Sequence, residues 1–207
     1  MGLRHTVLTS VTRDDLPDGG AGHIAATVRA IHRLCPNTTV EVLVPDFKGD
    51  PDAIRQVLDA RPEVFSHNIE TVERLYPVIR SRRYSYRMAL GVLRTAADYR
   101  PESIVKSAFM VGHGETPEEV RQTLGDLLAV GCEAVSIGQY LRPTSKQREV
   151  AEFVTPERLA EYEKAAYELG FKFAVAGPFV RSSYRSEELM EAPFARERVR
   201  AQRRASA

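Results

Sequence analysis

Four short runs hold the residue types that do chemistry. The first is Arg13-Asp14-Asp15-Leu16-Pro17-Asp18-Gly19-Gly20. Its carboxylates can accept hydrogen bonds from a cationic group, and its paired glycines let backbone approach a ligand closely. The same letters also spell an ordinary Asp/Pro/Gly turn. The second run is His67-Asn68-Ile69-Glu70-Thr71. Asn68 and Glu70 can accept from vicinal hydroxyls of the kind a ribose presents. Equally, Asn68 suits a helix cap with Glu70 in the first turn. His67 alone reads as a satisfied, partly buried imidazole. The third run is Lys106-Ser107, then Met110-Val111-Gly112-His113-Gly114-Glu115-Thr116. It is a Gly-rich link that either packs on a cofactor or simply turns, and its spacing is not that of a dinucleotide fingerprint. The fourth is Gly177-Pro178-Phe179-Val180-Arg181-Ser182-Ser183-Tyr184. There a guanidinium stands beside hydroxyls that can touch a ligand or lend an oxygen to a metal, or that can lie in solvent.

These runs need elements to hold them. Residues 6–11, 38–44, 64–67, 103–111, 134–137 and 171–175 read as strands, rich in β-branched residues. Helical spacing marks residues 21–34, 72–76 and 86–99. Asp50-Pro51, the Thr116-Pro117-Glu118-Glu119 capping box and Thr155-Pro156 each open a further helix. Strand–helix units recurring about every 30 residues imply parallel strands joined by crossovers. Each chemical run follows a strand's C-terminal end, and nearly every strand contributes one. That distribution favours a closed or partial β/α barrel, whose ligand sites lie on that rim, over an open sheet with one switch point.

The chain has 207 residues, a formal net charge of +1, 43% apolar and 28% charged residues. One domain over residues 1–190 and a basic, flexible tail over 191–207 are expected. Near-neutral charge argues against a nucleic-acid partner. No run is long and apolar enough for a membrane span, and no signal-peptide pattern opens the chain, so a cytoplasmic protein is expected. The two cysteines, Cys35 and Cys132, are far apart and read as reduced thiols. The chain has no G-x-S-x-G elbow, no H-E-x-x-H and no P-loop.

Taken together and in order, these runs resemble lipoyl synthase of the radical S-adenosylmethionine (SAM) superfamily. The stretches that carry the likeness are Thr9-Ser10-Val11 through Gly19-Gly20, Leu43-Val44-Pro45-Asp46-Phe47, His67–Thr71, Met110–Thr116, Gly138-Gln139-Tyr140-Leu141 and Gly177–Tyr184. The resemblance implies a partial (β/α)6 TIM-like barrel and a sulfurtransferase. That enzyme inserts two sulfurs at C6 and C8 of a protein-bound octanoyl group to form the lipoyl cofactor. It implies SAM and two 4Fe–4S clusters as cofactors. It also implies an octanoylated lipoyl-carrier protein (an E2 domain or the glycine cleavage H protein) and iron–sulfur donor proteins as partners. By the same resemblance, Asp18, Gly19 and Gly20 stand near the methionine part of SAM, and Asn68 and Glu70 near its ribose and amino-acid parts. Val111 and Gly112 back the adenosine, and Gln139, Tyr140 and Leu141 meet the adenine. Ser183, with Ser182 second, ligates the auxiliary cluster, and Arg181 contacts substrate or positions the serine.

The departures matter as much. The family carries CxxxCxxC and CxxxxCxxxxxC motifs, and neither occurs here. Soft thiolates are what iron–sulfur clusters need. The chain is therefore expected to begin after the family's first βα unit and to be inactive alone. His113 replaces a usual apolar residue and Ala108 a usual glycine. Two other readings stand beside the first: a non-catalytic or split-subunit barrel that takes its clusters from a partner chain, and a phosphate-binding barrel enzyme.

Overall fold

The alternating sequence folds into six parallel strands in one sheet, arranged in chain order. The computed structural model describes residues 2–205. The strands are β1 (His5–Thr9), β2 (Thr39–Leu43), β3 (Val64–Ser66), β4 (Ile104–Val111), β5 (Ala134–Gln139) and β6 (Phe173–Gly177). Linking them are α1 (Ala21–Leu34), α2 (Pro51–Leu58), α3 (Tyr76–Ile79), α4 (Tyr86–Tyr99), α5 (Pro117–Ala129) and α6 (Pro156–Leu169). After β6 come α7 (Ser186–Glu191) and α8 (Pro193–Ala205). The caps act where the sequence puts them. Asp50 accepts from Asp52 N, Thr155 from Arg158 N, and Thr116 and Glu119 close a reciprocal capping box.

The two faces of the sheet bury different partners. On the outer face, Val40, Val42, Phe65, Val105 and Val135 join one cluster with Ile24 and Val28 of α1, Ile54 and Leu58 of α2 and Leu124 and Leu127 of α5. On the inner face, Val64, Ile104, Ala134, Phe173 and Val175 form a second cluster with Leu189, Met190 and Ala195. The register sets Glu41 beside Val64 and Lys106 beside Ala134, so both charged side chains point inward with that second set. Lys106 Nζ donates to both carboxylate oxygens of Glu41 at 3.0 Å, and both side chains are 0% exposed.

Sequential order with helices outside curls the sheet into a partial barrel. Among the described residues β6 does not pair with β1. α7 packs against β1, and Arg4 reaches Glu187 and Glu191. α8 then crosses the N-terminal end of the strands, where Arg198 bonds the Glu133 carboxylate just before β5 and the Ser103 carbonyl just before β4. Residues 193–205 of the basic C-terminal stretch form this helix. Its arginines suggested solvent, but Ala195 is buried in the inner cluster, with Phe194 and Val199 packed against it. The helix expected over 72–76 is a 3-10 turn, Glu73–Leu75, running into α3.

Candidate functional site

Because all six strands are parallel, their C-terminal ends open on one rim. Two adjoining cavities lie there, of about 90 Å³ and about 180 Å³, and both are lined by Asn68 and Glu70. The smaller also takes Ser136, Gly138, Arg181 and Ser182. The larger takes Thr9, Ser10, Asp46, His67 and Arg80.

The irregular backbone after β3 explains how Asn68 and Glu70 reach both. β3 stops at Ser66, and the Ser107 hydroxyl on β4 then holds the departing chain, donating to His67 O at 2.8 Å and accepting from Ile69 N at 3.2 Å. The chain rejoins β4 at Glu70, whose N–H donates to Ala108 O and whose carbonyl accepts from Met110 N. Glu70 makes this bridge with φ 69°, a left-handed conformation uncommon away from glycine. Strain of this kind concentrates where surrounding structure holds a side chain for a purpose.

Burial sets the electrostatics. It is the largest influence on Glu70 and raises its carboxyl above the usual range, against the Arg80 charge and hydrogen bonding with Asn68, which lower it. Burial likewise lowers His67, which stays neutral and donates from Nδ1 to Val44 O at 3.0 Å. The Glu70 shift has a testable sign. A carboxyl whose folded pKa is raised binds more protons folded than unfolded, so its ionisation costs stability as pH rises through and above its ordinary 4.5. Glu70→Gln should therefore raise the melting temperature near neutral pH, with the gap closing well below pH 4.5. Thermal melts across pH decide this. A pH-independent gap would mean that shape, not charge, governs the site.

Other expected site residues fall elsewhere. Asp18 serves the N-terminus of α1, accepting from Gly20 N at 2.9 Å and Gly22 N at 2.8 Å, and these bonds lower its carboxyl. It lines neither rim cavity, nor do Gly19 and Gly20. Glu115 folds back onto its own loop, accepting from Gly112 N and His113 N. The Gln139 amide ties the segment after β5 to the rim, donating to Tyr140 O and Glu152 O and accepting from Val154 N. Tyr140 is buried and stacks on His113 with ring centroids 4.1 Å apart, while Leu141 is exposed. Val111 is buried in the outer core. Ser183 is exposed and lines neither rim cavity, whereas Ser182 lines the smaller. Arg80 and Asp46 are the additions. Arg80 opens the basic stretch Arg80-Ser81-Arg82-Arg83, and the fold turns it toward the cavity while Arg82 and Arg83 stay exposed.

The residues present do not fit an iron–sulfur cluster. Cys35 follows α1 and Cys132 precedes β5, both at the N-terminal end of the strands, away from the rim. Cys132 is fully buried, and burial pushes its thiol far up. Among the described residues no group of three or more Cys, His, Asp or Glu is placed to hold a metal. Polar groups at the rim do fit a polar organic ligand, since Asn68 Oδ1, Ser136 Oγ and Arg80 Nε are buried there without hydrogen-bond partners.

Comparison with known proteins identifies the family. The chain is 53% identical over 191 residues to a lipoyl synthase of Rubrobacter xylanophilus, covering 92% of this chain and 59% of that protein. It is 52% identical over 187 residues to a lipoyl synthase of Caldanaerobacter subterraneus subsp. tengcongensis, covering 90% of this chain and 65% of that one. A mitochondrial lipoyl synthase of Drosophila mojavensis is 50% identical over 187 residues, covering 90% of this chain and 51% of the relative. The chain thus spans about three-fifths of the bacterial relatives and half of the mitochondrial one. The crystal structure of methylornithine synthase aligns with 68% of this chain and 40% of its own at 13% identity and a TM-score of 0.52, a likeness of fold. No helix among the described residues is long and apolar enough to cross a membrane. The Radical SAM superfamily profile matches residues 1–127, which take in β1 to β4 and the strained Asn68–Glu70 link that both rim cavities share, and by that match the chain belongs to the radical SAM superfamily.

Proposed function

We propose that this chain forms the nucleoside-binding rim of a lipoyl synthase. In that enzyme two sulfurs enter at C6 and C8 of an octanoyl group borne on a lipoyl-carrier protein, an E2 domain or the glycine cleavage H protein. The observation that carries the reading is identity above one-half to lipoyl synthases over nine-tenths of the chain. The rim supports it with a pair of adjoining polar cavities built on Asn68 and Glu70. Bound SAM would supply the 5′-deoxyadenosyl group that abstracts hydrogen from the octanoyl chain.

This chain's own residues do the holding. Asn68 Oδ1, buried and free of partners, is an acceptor for a ligand hydroxyl or amine. Glu70 is a buried carboxyl whose charged form a cationic ligand group would favour. Arg181 and Ser182 flank the smaller cavity, where the acyl substrate would approach. Residues 1–207 hold two cysteines, both placed away from the rim, so the thiolates of a 4Fe–4S cluster do not come from them.

Two measurements test the reading. Reconstituting residues 1–207 with iron and sulfide should give no thiolate–iron charge-transfer absorbance. A stable cluster whose spectrum responds to SAM would overturn the ligand assignment. In equilibrium binding, the chain should take SAM in preference to a small phosphate ester. The reverse preference would favour a phosphate-binding barrel instead.

A further inference from the structure

We infer that a second copy of this chain pairs antiparallel along the free edge of β1, about a twofold axis at Val7, and so joins two sheets into one whatever the rim binds. Among the described residues β1 pairs with β2 alone. Thr39 N–H donates to Arg4 O at 3.0 Å. Alternate residues of a parallel strand bond to their neighbour, so Thr6 and Leu8 face β2. His5, Val7 and Thr9 therefore turn their N–H and C=O groups to the free side. Exposure agrees with this. His5 is half-buried although its side chain is only 4% exposed, so what solvent reaches is main chain. α7 packs against β1 but commits Leu189 and Met190 to the inner cluster, which leaves the edge uncovered. His5–Thr9 carries no proline, lysine or bulge, the devices that usually blunt an edge.

The residues on either side of Val7 match a twofold. With Val7 on the axis, His5 faces the partner's Thr9, Thr6 faces the partner's Leu8, and Arg4 faces the partner's Ser10. Leu3 and Val11, both exposed large apolar side chains, stand equally far from Val7 and face each other's copies. No two like charges meet, and the edge-facing residues His5, Val7 and Thr9 become hydrogen-bonded pairs that each exchange both bonds. This register is what singles out a second copy as the occupant. The cavities beside β1 fit the same symmetry. One of about 470 Å³ lies at its N-terminal end, lined by Leu3, Thr6 and Ile31, and one of about 220 Å³ at its C-terminal end, lined by Leu8, Ile24 and Thr27. The twofold sets the larger cavity of one copy beside the smaller of the other, so both apolar linings are covered in one self-complementary contact.

Sedimentation equilibrium over a concentration series tests this. The mass should rise from one chain to two and stop there. Val7→Pro removes only an N–H that faces the free side, so it should leave the β1–β2 ladder and the circular dichroism intact while weakening the dimer about tenfold or more. Leu3→Glu, at an exposed position, should also weaken it, and adding Val11→Lys should restore it by setting opposite charges across the axis. A chain that stays single at every concentration, a series of species larger than two, or a folded Val7→Pro variant that dimerises as well as the unmodified chain overturns the inference. Failure of Val11→Lys to rescue Leu3→Glu overturns the antiparallel register.

Discussion

Lys106→Met should lower the stability of the folded chain by about 3–5 kcal/mol, the usual cost of removing one partner from a buried ion pair. Nothing at this position offers relief. Lys106 and Glu41 are both 0% exposed, and the two bonds of 3.0 Å are the only ones the Lys106 ammonium makes among the described residues. With the ammonium gone, the one cationic partner left to Glu41 among the described residues is His5, whose Nε2 stands 3.8 Å away. For a chain of this length the loss corresponds to a melting temperature lower by roughly 6–20 °C. The double variant Lys106→Met, Glu41→Leu should recover most of it, because apolar residues can replace a buried pair at little net cost. If the single and double variants melt together, the pair is not coupled as the geometry requires. The position gives the pair a purpose beyond stability. It spans β2 and β4 on the inner face, and Ser107, next in β4, holds the His67–Ile69 backbone that presents Asn68 and Glu70. The double variant should therefore melt normally yet show whether an apolar core still carries a correctly set rim.

The elements were legible in the sequence wherever their signals were local. Residues 21–34 and 86–99 form helices with those bounds, and Asp50, Thr116 and Thr155 cap theirs as their spacing predicts. Such features depend on a few neighbouring residues, so composition and spacing carry them. α7 and α8 do not depend on neighbours in this way. Leu189, Met190 and Ala195 become core only because the sheet curls and leaves Val64, Ile104 and Phe173 uncovered on its inner face. The site divides on the same line. Asn68, Glu70, Arg181 and Ser182 were readable as a chemically dense set, and the fold brings them to one cavity. Asp18 was readable as a ligand acceptor, but its own helix N-terminus claims it first. Arg80 takes its place only in the fold, where it lines one cavity with Glu70, ten residues away, and Asp46, thirty-four residues away.

Gly112 offers the sharpest separation between a glycine that a rim requires and one that a helix merely tolerates. Gly112 has φ 101°, where an L side chain is strained. A Cβ there would overlap the Gln139 amide and stand 2.7 Å from the Glu152 carbonyl oxygen. Those two groups are bonded to each other, and the Gly112 carbonyl itself accepts from Ala151 N. Gly112→Ala should thus cost about 2–5 kcal/mol, combining backbone strain with overpacking. It should also loosen the segment that closes over the rim after β5. Gly125 lies in α5 at an ordinary helical φ, and a methyl group added there would meet nothing within 4 Å. Gly125→Ala should therefore stabilise by about 0.5–1 kcal/mol, since helix interiors favour alanine. Opposite signs from the same chemical change, read as melting temperatures, would place the constraint at the rim. Hydrogen exchange over residues 147–155 should accelerate in Gly112→Ala and stay unchanged in Gly125→Ala. If both alanine variants gained stability, the close approach of β4 to the segment after β5 would not exist in solution, and the part of the rim built on Gln139 would lose its physical basis.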